Sequence, residues 1–391
     1  MYDKCKCYER AFKIDSTQWG GDMNRTIKVG VLGCGQIAQI MHLPYLRDSG
    51  GFKIQALCDV SRGTATLVAD KYNVPHENVY TNFDEMLLDK EIDAVVICSK
   101  DHCEPVVKAA NAKKHIFVEK PFGFNMNEAN RMVQAAEENN VKIMVGYMKR
   151  YDTGFEYFLK QVRSMDPISL VRMHNYGGSF AYTKEVYDVL LEPDVSPEFF
   201  KEAKEQIKRS MMEELGAERK HLFEAYNLLL GVACHDTVLL RHAFGDNPEV
   251  LYAGVHQGGF LTAVLQFGDI RCVFESGLSM KRHIWDESFQ AYSPAKTVTL
   301  KFPWPYLKNA PSMVTIGDTV ENSDMPRESE IATSFHEAYR NEWLHFYDCI
   351  VNDKEPLTNG RDALQDIKLI SKIIKSVSIS PGQLSETGDQ S

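Results

Sequence analysis

The chain of 391 residues is 44% hydrophobic and 25% charged, with a formal net charge of −10 at pH 7. This composition is typical of a soluble globular protein of two or three domains. The acidic balance argues against nucleic acid or an anionic membrane surface as the main partner. No apolar run approaches the roughly 20 residues that a membrane-spanning helix needs. We therefore expect neither a nucleic-acid partner nor a membrane partner.

The amino-terminal 24 residues are polar and contain acids, unlike a secretory signal peptide. We expect residues 1–24 to form a flexible arm outside the fold. The nine cysteines are odd in number and lie partly in apolar segments, as free thiols do in a reducing cytoplasm. Cys5 and Cys7 lack a matching second pair, and the twelve histidines show no common metal-ligand spacing. We expect a cytoplasmic protein without a metal.

Apolar runs and helix signals alternate along the first part of the chain. We predict strands at 27–32, 52–60, 93–98, 115–119 and 142–147, and helices at 36–46, 62–72, 104–112 and 128–139. Pro44 should kink or shorten the first helix, and Ser61 and Asn127 should cap the second and fourth helices. This order is typical of a parallel sheet with right-handed crossovers, so we assign residues 25–148 to a doubly wound α/β Rossmann domain.

The pattern changes after residue 148. A strand at 170–178 precedes a charged helical insertion, 194–230, which Ser196 and Pro197 should open. Strands then follow in quick succession between 250 and 302, as in an antiparallel meander. Helices at 332–352 and 360–376 close the fold.

We therefore predict a second, α+β domain at 149–331 with a large open, mainly antiparallel sheet. Helices at 332–379 should pack back on the core, and the tail at 380–391 should be flexible. We interpret the insertion as a solvated helix pair that covers the sheet or the cleft. A substrate lid or a subunit contact is the alternative.

A Gly-x-Gly-x-x-Ala motif follows the first strand and opens the first helix. Gly33 would make the tight turn, Gly35 would let the backbone approach a pyrophosphate, and Ala38 would allow close packing of helix on strand. The free N–H groups at the start of the helix, around Gln36 and Ile37, would face the phosphates. The motif in this context predicts a dinucleotide site.

Asp59 ends the next predicted strand and is the expected partner of the adenosine ribose. Its carboxylate would accept hydrogen bonds from the ribose and repel a 2′-phosphate, which favours NAD over NADP. Arg62 argues the other way, because an arginine there can hold the 2′-phosphate. A helix-capping or turn role for Asp59 is the alternative.

Three runs resemble the glucose–fructose oxidoreductase/inositol dehydrogenase (Gfo/Idh/MocA) family. They are VGVLGCG at 29–35, KHIFVEKP at 114–121 and GYMKRY at 146–151, and the second is the most specific. The similarity covers roughly residues 26–376. It implies a Rossmann domain followed by an α+β domain, oxidation of sugars or cyclitols, and homo-oligomers formed through the second-domain sheet.

The resemblance makes Lys120 the catalytic lysine, next to a proline whose preceding peptide bond is often cis. Partial burial beside a positive nicotinamide ring would favour the neutral amine, which can take a hydroxyl proton. A histidine after the third strand also matches the family, but the three residues before it, Ser-Lys-Asp at 99–101, replace the usual Thr-Pro-Asn. The cofactor-binding residues implied in this way are Gly33, Gly35, Gln36, Ile37, Ala38, Asp59, Ser99, His102, Glu119, Lys120 and Pro121.

The second catalytic element of the family is an Asp-x-x-x-His-x-x-Asp pattern, which this chain matches only at His235. The two carboxylate positions hold Gly231 and Val238, and Asp236 is adjacent instead. His235 would hold or deprotonate a substrate hydroxyl, with a structural histidine as the alternative.

A late segment, 281–287, carries further candidates. Strand alternation would place His283 and Trp285 on one face, the first as a base or sugar hydrogen-bonder and the second as an apolar platform. Family members that oxidise glucosyl groups at C3 look similar here and at 302–307, whereas an exposed edge strand is the alternative. Lys149, Arg150 and Asp152 would contact substrate or form ion pairs.

These features predict an NAD-dependent dehydrogenase that acts on a hydroxyl of a sugar, cyclitol or glycoside. An NAD-dependent, redox-neutral glycoside hydrolase and a non-catalytic nucleotide-sensing regulator are the alternatives. The expected partners are a carbohydrate or glycoside substrate and further copies of the chain.

Overall fold

The fold is taken from a computed structural model of the protein, which describes residues 25–256 and 259–378. The predicted arm at 1–24, with Cys5 and Cys7, and the predicted tail at 380–391 lie outside these residues. Within the described ranges, no helix is long and apolar enough to cross a membrane.

Six parallel strands form the first sheet, in the order β3-β2-β1-β4-β5-β6. They are β1 (Ile27–Leu32), β2 (Phe52–Cys58), β3 (Val79–Tyr80), β4 (Ala94–Ile97), β5 (His115–Val118) and β6 (Ile143–Val145). The helices between them are α1 (Leu43–Asp48), α2 (Arg62–Tyr72), α3 (Phe83–Leu87), α4 (Cys103–Asn111) and α5 (Met126–Glu138). The strand order reverses between β1 and β4, which is where such sheets bind ligands.

Three local predictions for this half need correction. The first helix runs without a break from Gln36 to Asp48, so Pro44 does not shorten it, but its Ala38–His42 part is π-helical. Asn127 does not cap α5. Asn125 does, with its side-chain oxygen accepting from Glu128 N at 2.8 Å. The short β3 and α3 were not predicted at all, whereas Ser61 caps α2 as predicted.

The second sheet has eight strands in the order β14-β13-β12-β11-β7-β10-β9-β8. Its members and neighbouring helices, in chain order, are α6 (Thr153–Val162), β7 (Leu170–Gly177), α7 (Thr183–Val186), α8 (Pro197–Leu215), α9 (Phe223–Leu228), α10 (Cys234–Phe244), β8 (Glu249–Val255), β9 (Leu261–Phe267), β10 (Ile270–Leu278), β11 (Asp286–Tyr292), β12 (Thr297–Lys301), β13 (Met313–Thr319) and β14 (Pro326–Ala332). All neighbours run antiparallel except β7 and β10, which are parallel, so the sheet is mixed but mainly antiparallel as predicted.

One prediction for the second half is wrong. The predicted strand through 281–285 is a loop between β10 and β11, because the strand starts only at Asp286, so alternation cannot place His283 and Trp285 on one face. The insertion opens at Ser196 as predicted and contains two helical runs, α8 and a run that begins after Gly216. The second run continues beyond residue 230, through α9 and a π-helical segment (Leu229–Ala233) into α10.

Two helices, α11 (Ala338–Val351) and α12 (Gly360–Lys375), end the described chain. The first begins six residues later than predicted, because β14 occupies 326–332. Trp343 of α11 is fully buried and stacks on Phe117 of β5, with ring centroids 4.4 Å apart. The segment between the two helices lies beside β6, and Val145 N of that strand donates to Thr358 O at 2.9 Å. These contacts join the end of the chain to the core of the first sheet.

Candidate active site

The glycine turn after β1 has one crowded and one open glycine. Gly33 adopts φ +91°, and a Cβ added there would lie 2.8 Å from Ser99 N, so no other residue fits without displacing backbone. A Cβ added at Gly35 would meet nothing within 4 Å. The helical backbone begins at Gln36, and Ala38 is fully buried. The open surface over Gly35, beside a helix start, fits the close approach of a pyrophosphate.

Asp59 connects the glycine turn to the end of β2. One carboxylate oxygen accepts from Cys34 N at 2.7 Å and the other accepts from Ser61 N at 2.9 Å. Arg62 donates to Val79 O at 3.0 Å. Asp59 therefore does stabilise the turn, which is the alternative that the sequence left open. Its carboxylate also lies at the end of β2, where this fold binds a ribose.

The Glu119–Pro121 segment lies at the carboxyl end of β5, and its Lys120–Pro121 peptide bond is cis. Glu119 is buried and pairs with the fully buried His42 at 2.7 Å from Nε2 to Oε1. Burial alone would raise the pKa of the Glu119 carboxyl, but the hydrogen bond and charge of His42, with Lys120 and His102, lower that pKa overall. Glu119 also accepts from Lys120 N at 3.2 Å. Glu119 therefore anchors the backbone on which Lys120 is carried.

The Lys120 side chain crosses to the second domain. Its Nζ donates to the carbonyl oxygen of Gly231 at 2.8 Å, within the π-helical segment that precedes α10. His102 is buried beside the same loop, with Nδ1 bonded to Pro121 O at 2.7 Å, and burial lowers the pKa of its imidazole. Ser99 donates to Asp101 O at 2.8 Å. The described loops therefore place Lys120 between the two sheets.

A cavity surrounds the end of the Lys120 side chain. Its polar lining combines residues of both domains: Lys120, Lys149, Asp152, Asn175, His235 and Glu287. Aromatic residues form much of the remaining wall: Phe180, Trp285, Phe302, Trp304, Tyr306 and Tyr339. Small-molecule sites are usually lined by apolar and aromatic side chains, with a few polar groups that face the same cavity.

His235 is buried in the cavity wall. Its Nδ1 has no hydrogen-bond partner among the described residues. Burial, with the positive charges of Lys120 and Lys149, holds the pKa of this imidazole well below its usual value. The ring is therefore neutral at neutral pH and has a nitrogen free for a ligand hydroxyl.

A buried charge cluster lies across the cavity from Lys120. Lys149 forms an ion pair with Glu287, and its Nζ lies 3.9 Å from Asp236 Oδ1 and 4.7 Å from the centre of the Phe302 ring. Trp285 Nε1 donates to Glu287 Oε2 at 3.2 Å. Burial and the charge of Glu287 raise the pKa of Asp236 well above its usual value. A neutral Asp236 leaves Lys149 and Glu287 as the charged pair.

Asn175 of β7 completes this cluster. Its Nδ2 donates to Asp236 Oδ2 at 3.0 Å, while its Oδ1 has no partner among the described residues. The residue is buried and also lines the cavity. It therefore offers an acceptor to a ligand.

Other residues singled out from the sequence have different surroundings. Arg150 is buried outside the cavity lining and bonds Asp362 at 3.2 Å and His242 at 2.9 Å, which is the ion-pair alternative. Asp152 borders the cavity but caps α6, accepting from Phe155 N at 2.9 Å. His283 is exposed in the β10–β11 loop, and it is not among the residues that line the cavity.

Sequence reasoning missed Glu287 and Asn175. Glu287 gave no reliable signal, because Trp285 lies in a loop and its contact with Glu287 depends on how that loop packs. Asn175 gave no local signal, since a single asparagine in a strand is unremarkable until its neighbours are known.

Residues 27–147 match the family model described as an oxidoreductase family with an NAD-binding Rossmann fold, GFO_IDH_MocA. Inositol 2-dehydrogenase of Salmonella typhimurium is 31% identical over 134 residues, which are 33% of this chain and 39% of that protein. Myo-inositol 2-dehydrogenase of Thermotoga maritima is 31% identical over 140 residues, 35% and 41% of the two chains. The chain thus matches about two fifths of the length of these relatives.

Solved structures match over a larger part of the chain. A 3-ketoreductase from Actinomadura kijaniata, KijD10, crystallised with TDP-benzene and NADP, has a TM-score of 0.68 at 16% identity, covering 90% of this chain and 98% of that one. Aldose-aldose oxidoreductase from Caulobacter crescentus, complexed with glycerol, has a TM-score of 0.69 at 18% identity, covering 90% and 97%. At these identities the likeness establishes the fold. The first domain of this chain, residues 27–147, is thus similar to the dinucleotide-binding domain of the Gfo/Idh/MocA oxidoreductases.

Proposed function

We propose that the protein is an NAD-dependent dehydrogenase that oxidises a secondary hydroxyl of a sugar, cyclitol or glycoside. The observation that carries this proposal is the convergence of Lys120 and His235 on one cavity at the carboxyl end of β5. Ligands bind at that end of the strands in open α/β sheets. The inositol dehydrogenases similar to the first domain support the substrate class.

The chain's residues fit a dinucleotide. Gly33 to Ala38 would hold the pyrophosphate, Asp59 the adenosine ribose, and Ser99, His102 and the Glu119–Pro121 segment the nicotinamide end. The open face of Gly35 leaves room for the pyrophosphate, and the carboxylate of Asp59 provides acceptors for the ribose hydroxyls. When bound, NAD supplies the hydride acceptor.

The protein's own residues would handle the proton and the position of the substrate. Lys120 takes the proton of the reacting hydroxyl, and the Gly231 carbonyl orients its amine. The neutral His235 hydrogen-bonds the same or a neighbouring hydroxyl. Glu287, held by Lys149 and Trp285, takes the place of the family's two carboxylates, which this chain lacks at 231 and 238.

The aromatic wall supports a carbohydrate ligand. Sugar rings present apolar C–H faces, and flat side chains such as Trp285 and Trp304 can pack on them. The wall at 302–307 also suits a glycoside whose glucosyl group is oxidised at C3, which is the finer form of the proposal. Cytoplasmic location and homo-oligomers formed through the second sheet stay predictions.

The test is formation of NADH, followed at 340 nm, with NAD and a panel of sugars, inositols and glycosides. We expect a substrate-dependent rate in the wild type and a fall of about 100-fold or more in Lys120→Ala, because removal of a general base costs this much. Lys90→Ala is the matched control, since Lys90 is an exposed lysine of the same domain.

Two results would contradict the proposal. An unchanged rate in Lys120→Ala would remove this lysine from the chemistry. Tight NAD binding without NADH formation from any substrate would favour the redox-neutral hydrolase or the nucleotide sensor.

A further inference from the structure

A segment of the second domain lies against the nucleotide turn of the first. We call residues 187–194, between α7 and α8, the strap. Gln39, which follows the glycine turn, bonds the backbone of Leu190 in both directions, donating to its O at 2.8 Å and accepting from its N at 2.9 Å. Just before the strap, Thr183 accepts from Gln36 Nε2 at 2.8 Å. The strap is therefore attached at the start of the helix that would face the pyrophosphate.

The far end of the strap covers the start of α2. Asp194 accepts from Gly63 N at 2.8 Å, and Glu192 N donates to Thr64 Oγ1 at 2.9 Å. A Cβ added at Gly63 would lie 2.8 Å from Glu192 Cβ, so the two backbones are in close contact. Hydrogen bonds from the Ser61 hydroxyl and from Gly63 N lower the pKa of the Asp194 carboxyl. Asp194 is therefore an anion placed on the first turn of α2.

This position matters because the β2–α2 turn would contact the part of the cofactor that distinguishes NADP from NAD. NADP carries a 2′-phosphate on the adenosine ribose, and backbone N–H groups and a positive side chain in this turn are what would bind it. Here two of the backbone donors are already used by carboxylates. Asp59 accepts from Ser61 N, and Asp194 accepts from Gly63 N. The Arg62 guanidinium donates to the Val79 carbonyl.

We propose that Asp194, delivered by the strap from the second domain, is a specificity-determining residue that excludes the 2′-phosphate of NADP and acts together with Asp59. It does so by repelling a second anion and by occupying a donor that the phosphate needs. The inference rests on the proposed function, since a dinucleotide must bind the first domain. It adds Asp194, a residue from outside that domain, to the residues that select between NAD and NADP.

The test is direct titration of NADH and NADPH, followed by nicotinamide fluorescence, with no substrate present. In Asp194→Ala, NADPH should bind at least about tenfold more tightly than in the wild type, because charge and blocked donor are both removed. NADH should change by less than about threefold. Asp194→Asn should give a smaller gain for NADPH, because its amide oxygen can still accept from Gly63 N.

Asp188→Asn is the matched control. It removes a charge from the same strap, but the contact at this residue is from Lys71 to its backbone oxygen. It should leave the affinities for both nucleotides unchanged. Thermal unfolding of each variant, with and without NADH, verifies that the fold is intact.

Three outcomes would overturn the inference. An unchanged affinity of Asp194→Ala for NADPH, with NADH still bound, would remove Asp194 from cofactor selection. Equal affinity of the wild type for NADH and NADPH would show that nothing is excluded, while leaving the dehydrogenase proposal in place. Failure of the wild type to bind either nucleotide would refute the cofactor assignment itself, and the inference with it.

Discussion

Gly231 stands where the family resemblance led us to expect a carboxylate, yet it still contributes an acceptor to the site. Its backbone carbonyl accepts a hydrogen bond from Lys120 Nζ at 2.8 Å. The cavity obtains a carboxylate from Glu287 of β11 instead, and that strand is remote in sequence from His235. The sequence left this acid open, because the family pattern gives positions only around the histidine.

We expect Glu287→Gln to destabilise the fold and slow turnover together. The change removes the ion-pair partner of the buried Lys149, and breaking such a pair costs about 3–5 kcal/mol. Urea unfolding followed by fluorescence would measure the loss. The double variant Lys149→Met with Glu287→Gln should recover part of the stability but none of the activity.

Asp286→Asn is the control for this pair. Asp286 is largely exposed and bonds His174 at 3.1 Å, so its removal should cost no more than about 1 kcal/mol. Equal unfolding midpoints for Glu287→Gln and the wild type would contradict the burial and charge assigned to the pair.

At the level of secondary structure, the two π-helical segments both adjoin the site. The first, Ala38–His42, follows the glycine turn and carries His42, the partner of Glu119. The second, Leu229–Ala233, carries the carbonyl that receives Lys120. π-Helical turns shift groups out of the regular helical ladder and are frequent at functional sites. Propensity cannot predict them, since the same residues fit an ordinary α-helix.

In the glycine turn, we expect alanine at position 33 and alanine at position 35 to have different effects. Gly33→Ala should destabilise the fold by about 1–3 kcal/mol, because alanine is strained at positive φ and its Cβ would contact the backbone near Ser99. Gly35→Ala should keep the wild-type melting temperature but lose most of its stabilisation by NADH. Thermal scans with and without NADH would distinguish the two.

The opposite pattern would argue against a nucleotide over Gly35. If Gly35→Ala kept the full shift in melting temperature with NADH, the open face of this turn would not be the pyrophosphate site. If Gly33→Ala were as stable as the wild type, the turn would be less constrained than the contacts at Ser99 indicate.

For the whole molecule, the closing helices decide how the two parts of the chain are held. Trp343 stacks on Phe117 and makes an edge contact with His42, so α11 is part of the first-sheet core. Arg241 of α10 bonds Asp366 of α12 at 2.6 Å, which ties the same end of the chain to the second domain. Residues remote in sequence thus complete both cores.

We expect Trp343→Ala to cost about 3–5 kcal/mol, as for other fully buried aromatic residues, and to lower the melting temperature of the whole chain. Because Trp343 packs beside His42, the variant should also weaken NADH binding. Calorimetry would measure the first effect and nucleotide titration the second. Phe335→Ala is the control, since that ring is 68% exposed and its loss should change stability by about 0.5 kcal/mol or less. A separate, unchanged transition for one domain would contradict a shared core.

The sequence alone determined five of the six parallel strands, the glycine turn, the Ser61 and Ser196 caps and the place of Lys120 after β5. Each of these is encoded by a pattern of a few consecutive residues whose physical demands are local. The cap of α5 was predicted at Asn127, but it is Asn125, because the helix begins two residues earlier than predicted.

Only the tertiary structure decided which distant side chains meet. Lys149 and Glu287 are 138 residues apart in the chain, and Gly63 and Asp194 are 131 apart. The loop at 281–285 likewise follows from packing, because Trp285 turns into the cavity while its neighbour His283 stays in solvent. Such pairings depend on how the two sheets and the strap pack, and that packing is set by the whole buried surface and by no single segment.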